Sequence, residues 1–156
     1  MTSTHLLRCQ HADAIAMIGR LLDQLNSYGG PLDAYAITLQ LAKLTQLMRV
    51  HFAQEDDCLY PALIGSSDPE VADAAKAFQC EIGELWEHYE RFIRRWSTSE
   101  TIAAGFEEFR TEGIVIFDAI EERCTRENEL LFPLADTLAA RQLGHSPRRD
   151  RRSRAA

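Results

Sequence analysis

His51 and Glu55 stand four residues apart in HFAQEDDCLYPAL (residues 51–63), and Arg123 and Glu127 stand four apart in RCTRENELLFPLA (residues 123–135). The two stretches share a frame: an acid at the fifth position, an acid or amide after it, then Leu, an aromatic and Pro. On a helix, a spacing of four brings two side chains to one face and toward one volume. Imidazole and carboxylate offered together suit iron, manganese or zinc, and carboxylates on facing helices can bridge two ions. The first copy has that chemistry. The second has a permanent cation where the histidine stands.

Residues of this kind do chemistry only if helices hold them, and the chain is punctuated accordingly. The breaks NSYGGPLD (26–33), IGSSDPE (64–70) and STSE (97–100) divide it into four segments with helical periodicity. Ser67, Asp68, Pro69 and Glu70 form a helix start, with a cap, a proline in the first turn and an early acid. Ser97 followed by Glu100 fits a capping box. No stretch alternates as a strand does.

Each segment carries a stripe at steps of three and four. The first runs Leu7, His11, Ile15 or Ala14, Ile18, Leu22 and Leu25; the second runs Ile37, Leu41, Leu44, Met48, His51, Glu55 and Leu59. The third runs Phe78, Ile82, Leu85, Tyr89, Phe92 and Trp96; the fourth runs Phe109, Gly113, Ile116, Ile120, Arg123, Glu127 and Leu130. The predicted architecture is all-α: an antiparallel up-and-down four-helix bundle over residues 1–140.

Five inward positions then carry groups that a hydrophobic core excludes: His11, His51, Glu55, Arg123 and Glu127. Burying an ionic group costs several kcal/mol unless it is paired or coordinated. One such histidine alone reads as a hydrogen-bonded core residue. Five polar groups at one level of a bundle read as a built site, with His51 and Glu55 as the pair that favours a metal. Other conspicuous residues have plainer accounts. Trp86, Tyr89, Phe92 and Trp96 are packing residues, Pro61 and Pro133 end or bend their helices, and Glu121, Glu122 and Arg126 face solvent.

The bulk properties narrow the setting. A chain of 156 residues with 46% hydrophobic and 26% charged residues is long enough to bury a full core. No apolar run reaches the roughly 20 residues of a membrane span, and the N-terminus lacks a signal-peptide layout, so the expected location is the cytoplasm. Cys9, Cys58, Cys80 and Cys124 are far apart, with no C-x-x-C pair, and are expected reduced in or near the core. Net charge is −7, and the last twelve residues hold five Arg against one Asp, so residues 1–144 carry −11. An acidic body argues against a nucleic-acid groove. The basic end, residues 141–156, is expected to be a disordered tail, either a solvated terminus or a hook for an acidic partner.

The order His11, then His51-x-x-x-Glu55 followed by LYP, then ENELLFPLAD in the second hairpin, resembles the hemerythrin-like, or HHE cation-binding, domains. The resemblance spans about residues 5–138. It implies an antiparallel four-helix bundle around a non-haem di-iron centre with His, Glu and Asp ligands, serving oxygen binding or oxygen, redox or iron sensing and storage. Carried over by position, it makes His11, His51, Glu55 and Glu127 metal ligands. The third helix lacks the expected inward histidine. Glu81 is the preferred substitute ligand there, with His88 read as a surface residue and Glu84 as more exposed.

The resemblance also gives Arg123 a meaning, because it falls where the second hairpin should present a histidine. A guanidinium cannot ligate a metal but can hold carboxylates in forked hydrogen bonds. Arg123 is therefore expected to stand in for the second ion, holding Glu55 and Glu127 and leaving a site for one iron rather than two. In the limiting case it neutralises both carboxylates and no metal binds. Two functions follow: a metal-binding sensor of oxygen, redox state or iron, or a metal-free bundle that binds a protein partner. A small oxidase ranks last, since it needs an open coordination position and a substrate pocket that the sequence does not indicate.

Overall fold

The computed structural model describes residues 4–144, and it is helical almost throughout, with no strand among those residues. Helix α1 spans Thr4–Asn26 and α2 spans Pro31–Gln54. A π-helical turn, Glu55–Leu59, then leads without a break into α3, Tyr60–Ile64. Helix α4 spans Pro69–Arg95, and a short α5, Ser99–Ala104, precedes α6, Phe106–Arg126. A second π turn, Glu127–Leu131, leads into α7, Phe132–Gly144. The fold is the expected antiparallel up-and-down four-helix bundle, whose long members are α1, α2 with α3, α4, and α6 with α7. The last helix runs past residue 140, and the tail from residue 145 lies outside the described residues.

Local chemistry sets the ends of these helices. Gly30 adopts φ +156°, a backbone conformation that side chains disfavour, and Pro31 comes next as the first residue of α2. Asp68 caps α4 by accepting from the Glu70 amide at 3.1 Å, with Pro69 next to it. The capping box of α5 lies one residue later than expected. Thr98 rather than Ser97 is the cap, and its reciprocal partner is Thr101 rather than Glu100, because Thr98 holds the extended backbone that a cap requires.

The two π turns are the repeated phrase seen as backbone. Pro61 and Pro133 have no N–H to give to the helical ladder, and their rings crowd the carbonyls one turn back. The helix widens just ahead of each proline, so that the Tyr60 amide reaches back to the Glu55 carbonyl and the Phe132 amide to the Glu127 carbonyl. The extra residue shifts the register of the helix beyond each turn. Leu131 and Phe132 are buried together, and Leu130, expected inward by simple spacing, is 54% exposed.

The remaining stripes lie mostly where periodicity puts them. On α1 the buried series is Leu7, His11, Ala14, Ile18, Leu21 and Leu25, so Leu21 replaces Leu22 and Ala14, not Ile15, faces inward. Leu85 of α4 is only half-buried. One cysteine, Cys124, is buried; Cys9, Cys58 and Cys80 are exposed, contrary to expectation, because each falls on the outer arc of its helix.

The apolar interior forms two clusters. The larger includes Ile18, Ile37, Leu44, Tyr89, Phe109 and Phe117; the smaller includes Leu7, Leu59, Tyr60, Phe78, Leu131 and Phe132. His11, His51, Arg123, Glu55 and Glu127 are all buried on helices that contribute to both clusters, one or two turns from members of each. They form a polar layer between two dry ones. No described helix is long and apolar enough to cross a membrane.

Candidate metal centre

Four helical segments bring the polar layer together: α1 supplies His11, α2 supplies His51, and the two π turns supply Glu55 and Glu127 as their first residues. One ligand atom from each of these four residues lies within 4.8 Å of all the others. His11 Nε2 is 3.0 Å from His51 Nε2 and 3.1 Å from Glu127 Oε2, and His51 Nε2 is 3.4 Å from Glu55 Oε1. All four residues are 1% exposed.

What lies behind the imidazoles decides what they offer. His11 Nδ1 is 2.9 Å from Asn128 Oδ1, and His51 Nδ1 is 2.9 Å from Gln10 Oε1. Gln10 uses its amide nitrogen on Gln54 Oε1, at 2.9 Å, which leaves its oxygen to accept from His51. An amide oxygen only accepts, so each Nδ1 carries the donated hydrogen. Both rings therefore turn Nε2 inward, and the two Nε2 atoms meet at 3.0 Å. A backing hydrogen bond of this kind fixes the tautomer of a metal-binding histidine.

The carboxylates are partnered unequally. Neither oxygen of Glu55 has a hydrogen-bond partner, although both are buried. Burial, and next the charge of Glu127, push its carboxyl up to about 9. Burial also pushes Glu127 upward, but the hydrogen bond with His11 and the charge of Arg123 outweigh it and hold that carboxyl below the usual range. Burial, followed by the charge of His11, lowers His51 to about 4, so its ring is neutral near pH 7. Two converging imidazole nitrogens and a buried carboxyl that accepts no hydrogen bond form a donor set that a cation completes. The residues fit a metal ion.

Arg123 lies inside the bundle, beside this cluster rather than in solvent. Its Nε donates to Glu127 Oε1 at 2.5 Å and its Nη1 to Glu81 Oε2 at 3.2 Å. Its Nη2 donates to the Tyr60 hydroxyl at 2.9 Å and to the Phe78 carbonyl at 2.7 Å, while the guanidinium stacks over the Phe78 ring. The expected fork is corrected in one arm: it grips Glu127 and Glu81, and Glu55 receives no hydrogen bond from it. The donors left over from the two acids are taken up by the Tyr60 hydroxyl and the Phe78 carbonyl instead.

Glu81, the fifth candidate, is not among the four clustered residues. It is half-exposed and held by Arg126, at 2.7 Å, as well as by Arg123. His88 and Glu84 are exposed on α4. Gln10, Gln54 and Asn128 were not anticipated. The one sequence signal, for Asn128 alone, was the position after each acid of the repeated phrase, where it replaces Asp56.

The sequence pattern of the hemerythrin HHE cation-binding domain matches residues 2–135. The chain belongs to that family. No curated protein and no solved structure matches it. Membership agrees with the helical bundle and with a His/Glu cluster that could hold a metal.

Proposed function

We propose that this hemerythrin-domain protein holds one non-haem iron ion between His11, His51, Glu55 and Glu127, and that the occupancy or oxidation state of that ion reports oxygen, redox state or iron supply. The observation that carries this reading is the pair of facing Nε2 atoms beside a buried carboxyl whose two oxygens have no hydrogen-bond partner. Bound iron would supply one-electron redox chemistry. The chain supplies the geometry: Gln10 and Asn128 orient the rings, and apolar clusters flank the site on two sides. Arg123 engages Glu127 from the opposite side, where a second ion would need a ligand and meets a fixed positive charge instead. The proposed setting is the cytoplasm, with no nucleic-acid partner.

The test is elemental analysis of anaerobically purified, untagged protein, together with its optical spectrum. One ion per chain, lost in His11→Ala and His51→Ala, is the expected result. Two ions per chain would overturn the role given to Arg123. A chain without metal would favour a second reading, a metal-free module for a protein partner. That reading is supported by the ion pair of Arg123 with Glu127, which already neutralises one of the two buried carboxylates.

A further inference from the structure

All four clustered side chains are buried, so an ion bound among them must reach them through an opening. Three edges of the bundle are closed at this level. Between α1 and the last helix, Arg8 donates to the Asn128 carbonyl at 2.9 Å and pairs with Asp136, which also accepts from Thr4. Between α1 and α2, the amides of Gln10 and Gln54 are joined at 2.9 Å. Between α4 and α6, Arg123 and Arg126 both lie over the Phe78 ring and share Glu81. The two ion-paired guanidiniums, stacked on the ring, fill that last edge.

The fourth edge, between α2 and α4, is open. A cavity of about 280 Å³ lies there, walled by Phe52, Ile82 and Trp86 and reaching Glu55. Gln79 and the exposed acid Asp56 also line it, and so does Gly83, which leaves a gap where another residue would place a side chain. Three other cavities among the described residues touch none of the four clustered side chains. The volume holds several waters, enough for an ion to shed its hydration shell in stages.

We infer that this cavity is the uptake port for the metal ion: Asp56 draws the hydrated cation in, Gly83 leaves the passage clear, and Glu55, whose carboxyl accepts no hydrogen bond, takes the ion first and passes it to the two imidazoles. The inference rests on the metal reading above and adds a route to it. A port governs rates and not equilibrium. Obstructing it should slow uptake and release alike and leave affinity unchanged.

The experiment tracks Co(II) uptake by the full chain in stopped flow, through the visible bands of the bound ion, and its release into excess chelator. A Cβ at Gly83 meets no atom within 4 Å. Leucine is also a better helix former than glycine, so Gly83→Leu keeps the fold and fills the passage. In Gly83→Leu both rates should fall by about tenfold or more, with the dissociation constant within about twofold of the parent. Asp56→Asn should slow uptake and weaken its dependence on salt. Parent-like rates in both variants, with the ion still bound, overturn the port and leave the metal reading standing. A parent chain that takes up no ion overturns both.

Discussion

His11 and His51 face each other with their Nε2 atoms 3.0 Å apart, each ring held from behind by a side-chain amide oxygen. That arrangement places a demand on Gln10 and Asn128, which touch no candidate ligand atom yet decide which nitrogen is free. Removing either acceptor lets its ring rotate or change tautomer. In Gln10→Ala and Asn128→Ala, metal affinity should fall by about 10–100-fold with the helical content intact. Asn128→Asp keeps an acceptor at the same place and should recover most of the loss. Competition titration against a chelator of known affinity measures this, and parent-like affinity in both alanine variants would remove the amides from the account.

Arg123 and Glu127 make a different prediction, because their contact is between buried charges. Arg123→Met fills similar space but leaves Glu127 without its cation. Breaking one side of a buried pair costs about 3–5 kcal/mol, most of it from the stranded partner. Urea unfolding of the metal-free variant should show a loss of that size. The loss should shrink when metal is bound, since the ion then neutralises the same carboxylate. An equal loss with and without metal would separate Glu127 from the ion.

These relationships were visible in the sequence to different depths. The series Ile37, Leu41, Leu44, Met48, His51, Glu55 is buried as read because α2 keeps ideal spacing up to the start of its π turn, and Leu59, at the end of that turn, is buried as well. Leu130 was misplaced because a π turn adds one residue, and spacing alone carries no mark of it. Arg123 was legible as a buried cation, but not which acids it would grip, since a long side chain can serve several neighbours. Gln10 was invisible for a simpler reason: a polar residue beside an inward stripe looks the same whether it meets water or a histidine.

The cysteines test the packing of the whole bundle at low effort. Cys9, Cys58 and Cys80 are exposed, while Cys124 is buried beside the polar layer. Burial, reinforced by the charges of Glu127 and Glu55, pushes the Cys124 thiol up, so it offers almost no thiolate at neutral pH. Thiol titration of the native chain should therefore count three rapid groups, and the fourth should appear only on unfolding. Rapid reaction of all four in the native state would contradict the position of α6.

Proton linkage gives the last prediction, and its sign is set by Glu55. In the metal-free chain, burial and then the charge of Glu127 raise the carboxyl of Glu55 to about 9, from an ordinary value of 4.5. The folded chain thus keeps a proton that the unfolded chain gives up. The stability this contributes is complete below about 4.5 and is lost as pH rises toward 9. His51 works in the opposite sense. Burial and then His11 lower it to about 4 from 6.5, so its contribution is complete above 6.5 and is lost only on acidification. Between about pH 6.5 and 8 the Glu55 effect outweighs those of His51 and Cys124, and metal-free protein should lose up to about 1.4 kcal/mol per pH unit. A bound ion displaces that proton, so the metal-loaded chain should be nearly flat over the same range and its affinity should rise with pH. Urea midpoints for both forms at several pH values decide the matter: a metal-free chain whose stability holds steady or climbs with pH would mean that Glu55 is already ionised in the fold, with a partner other than a metal.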